Sequence, residues 1–172
     1  GGANPGTDVY DIHARTDQRG LTTVRLQALT DPSLPGGGPG RHTNSNFVLS
    51  EFELTVVSVK NPEQSQVVKF SQARAEYSQR NYEIKKAIDG TAANNNGWAV
   101  DGPTRRKPIK AMFLPDSLVK VPEGGRLVVR FFHEALNQHN MGRFRLSYSQ
   151  EKVSSLDGKP GLPANLAALL RR

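Results

Sequence analysis

An antiparallel β-sandwich, two sheets stacked around one core, is the fold class this chain predicts. Three observations predict it: apolar residues recur at every second position in several segments, turn-forming residues separate many of those segments, and a helical period is nearly absent. The 172 residues (18.9 kDa) suffice for one ordinary domain with a real core. Apolar types make up 36%, and sixteen glycines add to that, a composition above the disordered range.

The elements follow in chain order. Tyr10, Ile12 and Ala14 form a weak first candidate strand. Val24, Leu26 and Ala28 alternate with Thr23, Arg25 and Gln27, and Phe52, Leu54 and Val56 alternate with Glu51, Glu53 and Thr55, the two-residue rhythm of half-buried strands. Between them Pro35-Gly36-Gly37-Gly38-Pro39-Gly40 is too rich in breakers for regular structure and reads as an exposed loop. A second weak strand runs from Val67 to Phe70 and on through Ala73, Ala75 and Tyr77. Tyr82 to Ile88 is the one internal helical turn, with Ile84, Ala87 and Ile88 on one face and Asp89-Gly90 ending it. Three more strands carry Ile109, Ala111 and Phe113, then Leu127, Val129 and Phe131, then Phe144, Leu146 and Tyr148. Asp31-Pro32, Asn61-Pro62, Asp101-Gly102-Pro103 and Pro122-Glu123-Gly124-Gly125 mark turns. Leu162 to Arg172, with Pro163 at its start and a basic end, favours a short C-terminal helix or a linker. The expected organisation is a flexible edge over 1–7, a sandwich over 8–150 and a tail over 151–172.

Several chemistries are disfavoured. No run approaches the roughly 18 to 20 apolar residues of a membrane span, so membrane insertion is not expected. With no cysteine there is neither a disulfide framework nor a thiolate site nor a haem attachment in this segment. No Lys-Ser/Thr follows the glycines at 36–40, so a phosphate loop is rejected. His13, His42, His133 and His139 lack metal-site spacing, and no nucleophile elbow or acidic pair stands out, so catalysis is not expected. Residues 1–100 balance ten Lys/Arg against ten Asp/Glu, whereas 101–172 hold thirteen against six, so the C-terminal part carries the whole net charge of +7. Such an excess attracts anions. Aromatics are only 7% and fall at inward positions, which argues against nucleic acid.

Two motifs remain. Arg105-Arg106-Lys107, in a turn-rich segment, is either a solvated loop tip or a meeting point for sulfate, carboxylate or phosphate. In Ala87-Ile88-Asp89-Gly90-Thr91-Ala92-Ala93-Asn94-Asn95-Asn96-Gly97-Trp98, a helical turn ends in Asp-Gly and an oxygen-rich loop leads to the single tryptophan. Asp89, Asn94 and Asn96 offer the hard oxygens that Ca²⁺ prefers, and the competing reading is an Asx-type turn delivering Trp98 into the core.

The Ala-Ile-Asp-Gly…Gly-Trp-Ala segment resembles galactose-binding-like (discoidin-type) β-sandwich domains. Its combination with Leu29-Thr30-Asp31-Pro32-Ser33-Leu34-Pro35, Gly36 to Arg41, Asn46 to Phe52 and His139 to Ser147 is similar to a domain of large planctomycete surface or periplasmic proteins that also carry a cytochrome c-type domain. The similarity spans about residues 8 to 150. It implies a jelly-roll sandwich in an extracytoplasmic bacterial protein, any haem belonging to a neighbouring domain, and glycan binding without catalysis. Relatives often place a calcium-holding threonine where Asn96-Gly97 stands here. The leading Gly1-Gly2 and the abrupt end suggest an excised domain. The expected function is a non-catalytic carbohydrate-binding module for anionic or sulfated polysaccharide, with Arg105, Arg106 and Lys107 on the charged groups and Tyr82 offering a face to a sugar ring or sitting in the core. The alternative is a structural domain docked on its neighbours in a cytochrome c-type parent.

Overall fold

The computed structural model describes residues 2–151 and 155–157. Twelve strands follow one another: β1 (Asp8–Arg15), β2 (Gly20–Leu21), β3 (Thr23–Leu29), β4 (Val48–Leu49), β5 (Glu51–Val57), β6 (Gln66–Val67), β7 (Phe70–Ala75), β8 (Trp98–Ala99), β9 (Ile109–Pro115), β10 (Val119–Lys120), β11 (Arg126–His133) and β12 (Arg143–Ser149). Two four-stranded antiparallel sheets, ordered β1-β11-β5-β6 and β12-β3-β9-β7, form the sandwich, and two-stranded pairs β10-β2 and β4-β8 trim its ends.

The alternation carries the core. The inward residues expected on β3, β5, β9 and β11 are all at most 5% exposed. Phe52 of the first sheet stacks on Phe113 of the second with ring centroids 3.9 Å apart and planes within 6°. Phe131 meets Phe144 edge-on at 4.9 Å. Each such ring contributes about 1.5–3 kcal/mol by leaving water.

Four expectations change. The run from Val67 onward is two strands in different sheets: β6 pairs with β5, and β7 pairs with β9. Val67 is 64% exposed, and the chain crosses between layers at Val68, whose amide donates to Leu54 O. Tyr148, expected inside, is 40% exposed and donates its hydroxyl to Thr16 Oγ1 at 2.6 Å. The helical turn is a short 3-10 turn, Ile84–Ala87, that buries Ile84 and Ala87. Residues 2–7, expected as a loose edge, are tied down: Arg41 donates to Gly2 O and Ala3 O, and Asn140 donates to Asn4 Oδ1 and Pro5 O. The proposed C-terminal helix lies outside the described residues. Ser155 to Asp157 return over the outer face of the second sheet, where Arg25 donates to Leu156 O and Lys110 pairs with Asp157.

The topology sorts the loops. The registers place the end of β3, the start of β9, the end of β7 and the start of β12 at one end of the second sheet. The start of β1, the end of β11 and the start of β5 share one end of the first. Residues 2–7, 30–47, 76–108 and 134–142 therefore gather at one end of the sandwich, and shorter connections close the other.

Candidate functional site: the loop end of the sandwich

Asn46 holds the loop end together. It is 5% exposed, and its Oδ1 accepts the amides of Val100 (3.3 Å) and Gly102 (3.1 Å). Its Nδ2 donates to Gln79 Oε1 at 2.9 Å, which also accepts the Asp101 amide at 3.2 Å. One carboxamide thus joins the 30–47 loop to two parts of the 76–108 loop. The second half of the glycine stretch packs against this hub, with Gly38, Pro39 and Gly40 buried, while Pro35–Gly37 forms a 3-10 turn in which Gly36 stays exposed as the sequence predicts. A Cβ on Gly40 would lie 1.8 Å from Asn46 O, so only glycine allows the two backbones to approach this closely. Among the described residues, the non-glycine positions with left-handed backbone are Ser45, Asn81, Asn95, Asp101 and Gln138, and all five lie in these loops. Such conformations are costly and persist where the surroundings impose them.

The basic cluster is divided. Arg105 lies over the Tyr77 ring, its Cζ 3.7 Å from the centroid, in a cation–π contact. Its Nε is buried without a hydrogen-bond partner among the described residues. Tyr77 in turn accepts the indole N–H of Trp98 on its backbone oxygen at 3.0 Å. Trp98 is fully buried, edge-on to Phe47 at 5.3 Å, as the Asx-turn reading expects. Arg106 and Lys107 are exposed, with Arg106 spread over Gly36. Tyr82 is half-buried in a satellite apolar cluster with Val48, Ala99, Ala135 and Leu136.

In the oxygen-rich loop, Asp89 and Asn96 meet and Asn94 stays exposed. Asn96 Nδ2 lies 3.1 and 3.2 Å from the two Asp89 oxygens, 2.7 Å from Thr91 O and 3.5 Å from Lys86 O. Four oxygens from three residues surround this one nitrogen, the donor type of a calcium site but fewer than its six to eight ligands. Glu51 lies beside this loop and accepts the Gly90 amide at 3.1 Å. Burial, reinforced by the charge of Asp89, pushes its carboxyl up to about 7.

Residues that the segment-by-segment charge count passes over complete the end. Arg41 and Arg143 flank a cleft of about 340 Å³ beside Tyr10. The Tyr10 hydroxyl donates to Met141 O at 2.7 Å, and burial raises its pKa against the opposing pull of Arg41. Asp31 accepts Ser33 N and Oγ on one oxygen and Arg143 on the other at 3.0 Å, and these bonds lower its pKa, the Ser33 backbone bond most. His42 and His139 stack with centroids 3.9 Å apart. His133 is buried with Nδ1 2.7 Å from Val48 O, and burial holds it down at about 4, a structural histidine. Arg41 and Arg143 are brought together by the pairing of β12 with β3 and by the bridge of Gly40 to Met141, where the Arg41 amide donates to Asn140 O, contacts that no local pattern announces.

No protein-family model, curated protein or solved structure matches this chain.

Proposed function

We propose that this chain is a non-catalytic carbohydrate-binding module for anionic or sulfated polysaccharide, of the galactose-binding-like class, within a larger extracytoplasmic bacterial protein of the planctomycete cytochrome c-type group. One observation carries the binding reading: the strained backbone positions and the long loops are confined to one end of a rigid sandwich. Loops held by a rigid scaffold are where binding concentrates. Arg106 and Lys107 present cations there with no ion-pair partner among the described residues, while Arg105, laid on Tyr77, braces the segment that carries them. Binding is adsorption, by charge-assisted hydrogen bonds to sulfate or carboxylate oxygens.

Calcium belongs to this proposal as a structural ligand. Asp89, the carbonyls of Lys86 and Thr91, and Asn96 through its amide oxygen would hold it. The ion would supply a cross-link between the 3-10 turn and the segment entering Trp98.

Affinity electrophoresis in gels containing sulfated, uronate or neutral polymers tests the reading. It predicts retardation by the charged polymers at low salt that fades as salt screens the contacts. Absence of retardation in every gel contradicts it. A second reading, docking on neighbouring domains of the parent chain, is favoured by Val59, Val67 and Leu118. These are exposed by 48%, 64% and 57% and lie at the end away from the long loops. Pull-down of separately produced neighbouring domains distinguishes the two.

A further inference from the structure

Building on the polysaccharide reading, we infer that the cleft between Arg41 and Arg143, rather than the Arg105–Lys107 loop, receives the anionic group of the bound sugar, a carboxylate or sulfate on a single pyranose. Arg41 is held by neutral acceptors, the carbonyls of Gly2 (2.8 Å) and Ala3 (2.6 Å), and among the described residues no carboxylate pairs with it. Arg143 is fixed across the cleft by Asp31, whose two oxygens are already engaged by Ser33 and Arg143. Two guanidinium groups thus face one cleft whose lining holds one engaged carboxylate, an excess of positive charge among the lining residues, with Asp8 the further carboxylate that acts on Tyr10. Guanidinium suits planar, bidentate recognition of carboxylate and sulfate oxygens.

Pre-organisation favours the same place. Arg143 is positioned by a charge-assisted bond and Arg41 by two backbone oxygens, whereas Lys107 has no such anchor among the described residues. At about 340 Å³ the cleft is at the small end of ligand pockets, suited to one sugar ring and not to a folded polymer. Leu34 and Gly142 supply an apolar wall against which the ring carbons can rest, and the Ser33 hydroxyl, donating to Asp31, keeps its lone pairs for a sugar hydroxyl. The 31–40 turn that bears Asp31 also passes under Arg106, so a chain seated in the cleft can continue toward Arg106 and Lys107.

The test is calorimetric titration of the whole chain with tetragalacturonate, its fully methyl-esterified neutral form, and a sulfated galactan oligosaccharide. The wild type is expected to bind one or both charged probes and not the ester. Arg143→Gln and Arg41→Gln should each weaken binding about tenfold or more, the loss of one charge-assisted contact. Arg106→Ala/Lys107→Ala should weaken binding less than either cleft variant, and Lys60→Ala/Lys120→Ala, exposed cations at the other end of the sandwich, should stay within about threefold. Thermal melting checks that each variant is folded. The Tyr10 ring resonances of the wild type, which need no substitution, should shift on titration. Binding that persists with Arg143→Gln and Arg41→Gln near wild type, or with Tyr10 unmoved, overturns the cleft and leaves the polysaccharide reading standing. Failure of both charged probes to bind the wild type overturns both.

Discussion

Asn46 shows how much one side chain can decide at the loop end. Replacing it with alanine strands the buried amides of Val100 and Gly102 and leaves the Gln79 carboxamide oxygen with the Asp101 amide alone. Asn46→Ala is expected to cost about 3 kcal/mol in urea unfolding. A cost under about 0.5 kcal/mol would show that water replaces it fully. Two buried titratable groups act in opposite directions with pH. Glu51, raised to about 7, stabilises the fold below its ordinary range near 4.5, and that contribution is lost as pH rises through 7. His133, lowered to about 4, contributes stability present above its ordinary 6.5 and lost as pH falls through 4. Glu51→Gln should therefore be more stable than wild type at pH 8 and lose that advantage at pH 4. Melting curves of the two proteins across that range check the sign, and a wild-type advantage at pH 8 contradicts it.

At the scale of elements, the strands were legible and their crossings were not. Leu26 and Leu54 fall on a period of two that any sandwich imposes, so β3 and β5 stand out from local alternation alone. The crossing at Val68 carries no glycine or proline, and so β6 and β7 read as one strand. The glycines at 36–40 announced a loop, but the burial of its second half depends on Asn46 pressing against Gly40, a tertiary contact invisible to local patterning. Trp98 was legible for the opposite reason: a lone large aromatic after a polar turn has little use except in a core. In the Asp89 loop the sequence marked the oxygens but not which of them meet, since Asn94 and Asn96 look alike in the string and only Asn96 turns inward. If the loop takes calcium, the ion should raise the melting temperature by mass action, about 2.7 kcal/mol at a hundredfold excess over Kd. Asp89→Ala should remove that rise. An unchanged wild-type melt would leave Asn96 alone as the closure of the loop.

Across the whole molecule the basic residues divide into paired and unpaired sets among the described residues. On the strands, Arg130 pairs with Asp11 at 2.7 Å and Lys110 with Glu76 at 3.6 Å, so part of the C-terminal charge is neutralised on the sheet faces. At the loop end, Arg41, Arg106 and Lys107 have no ion-pair partner among the described residues. Exposed pairs of the first kind add little stability. Unpaired cations on anchored loops add a field that an acidic polymer can meet. Hence a tenfold rise in ionic strength should weaken binding strongly while leaving the melting temperature nearly unchanged.

Binding at the loop end, and not on a sheet face, is read by amide chemical-shift mapping with a saturating sulfated oligosaccharide. Shifts are expected to be confined to residues 2–7, 30–47, 76–108 and 134–142, largest near Arg41 and Arg143. Shifts concentrated instead along the outer face of the second sheet, around Arg25, Arg74 and Met112, would contradict it.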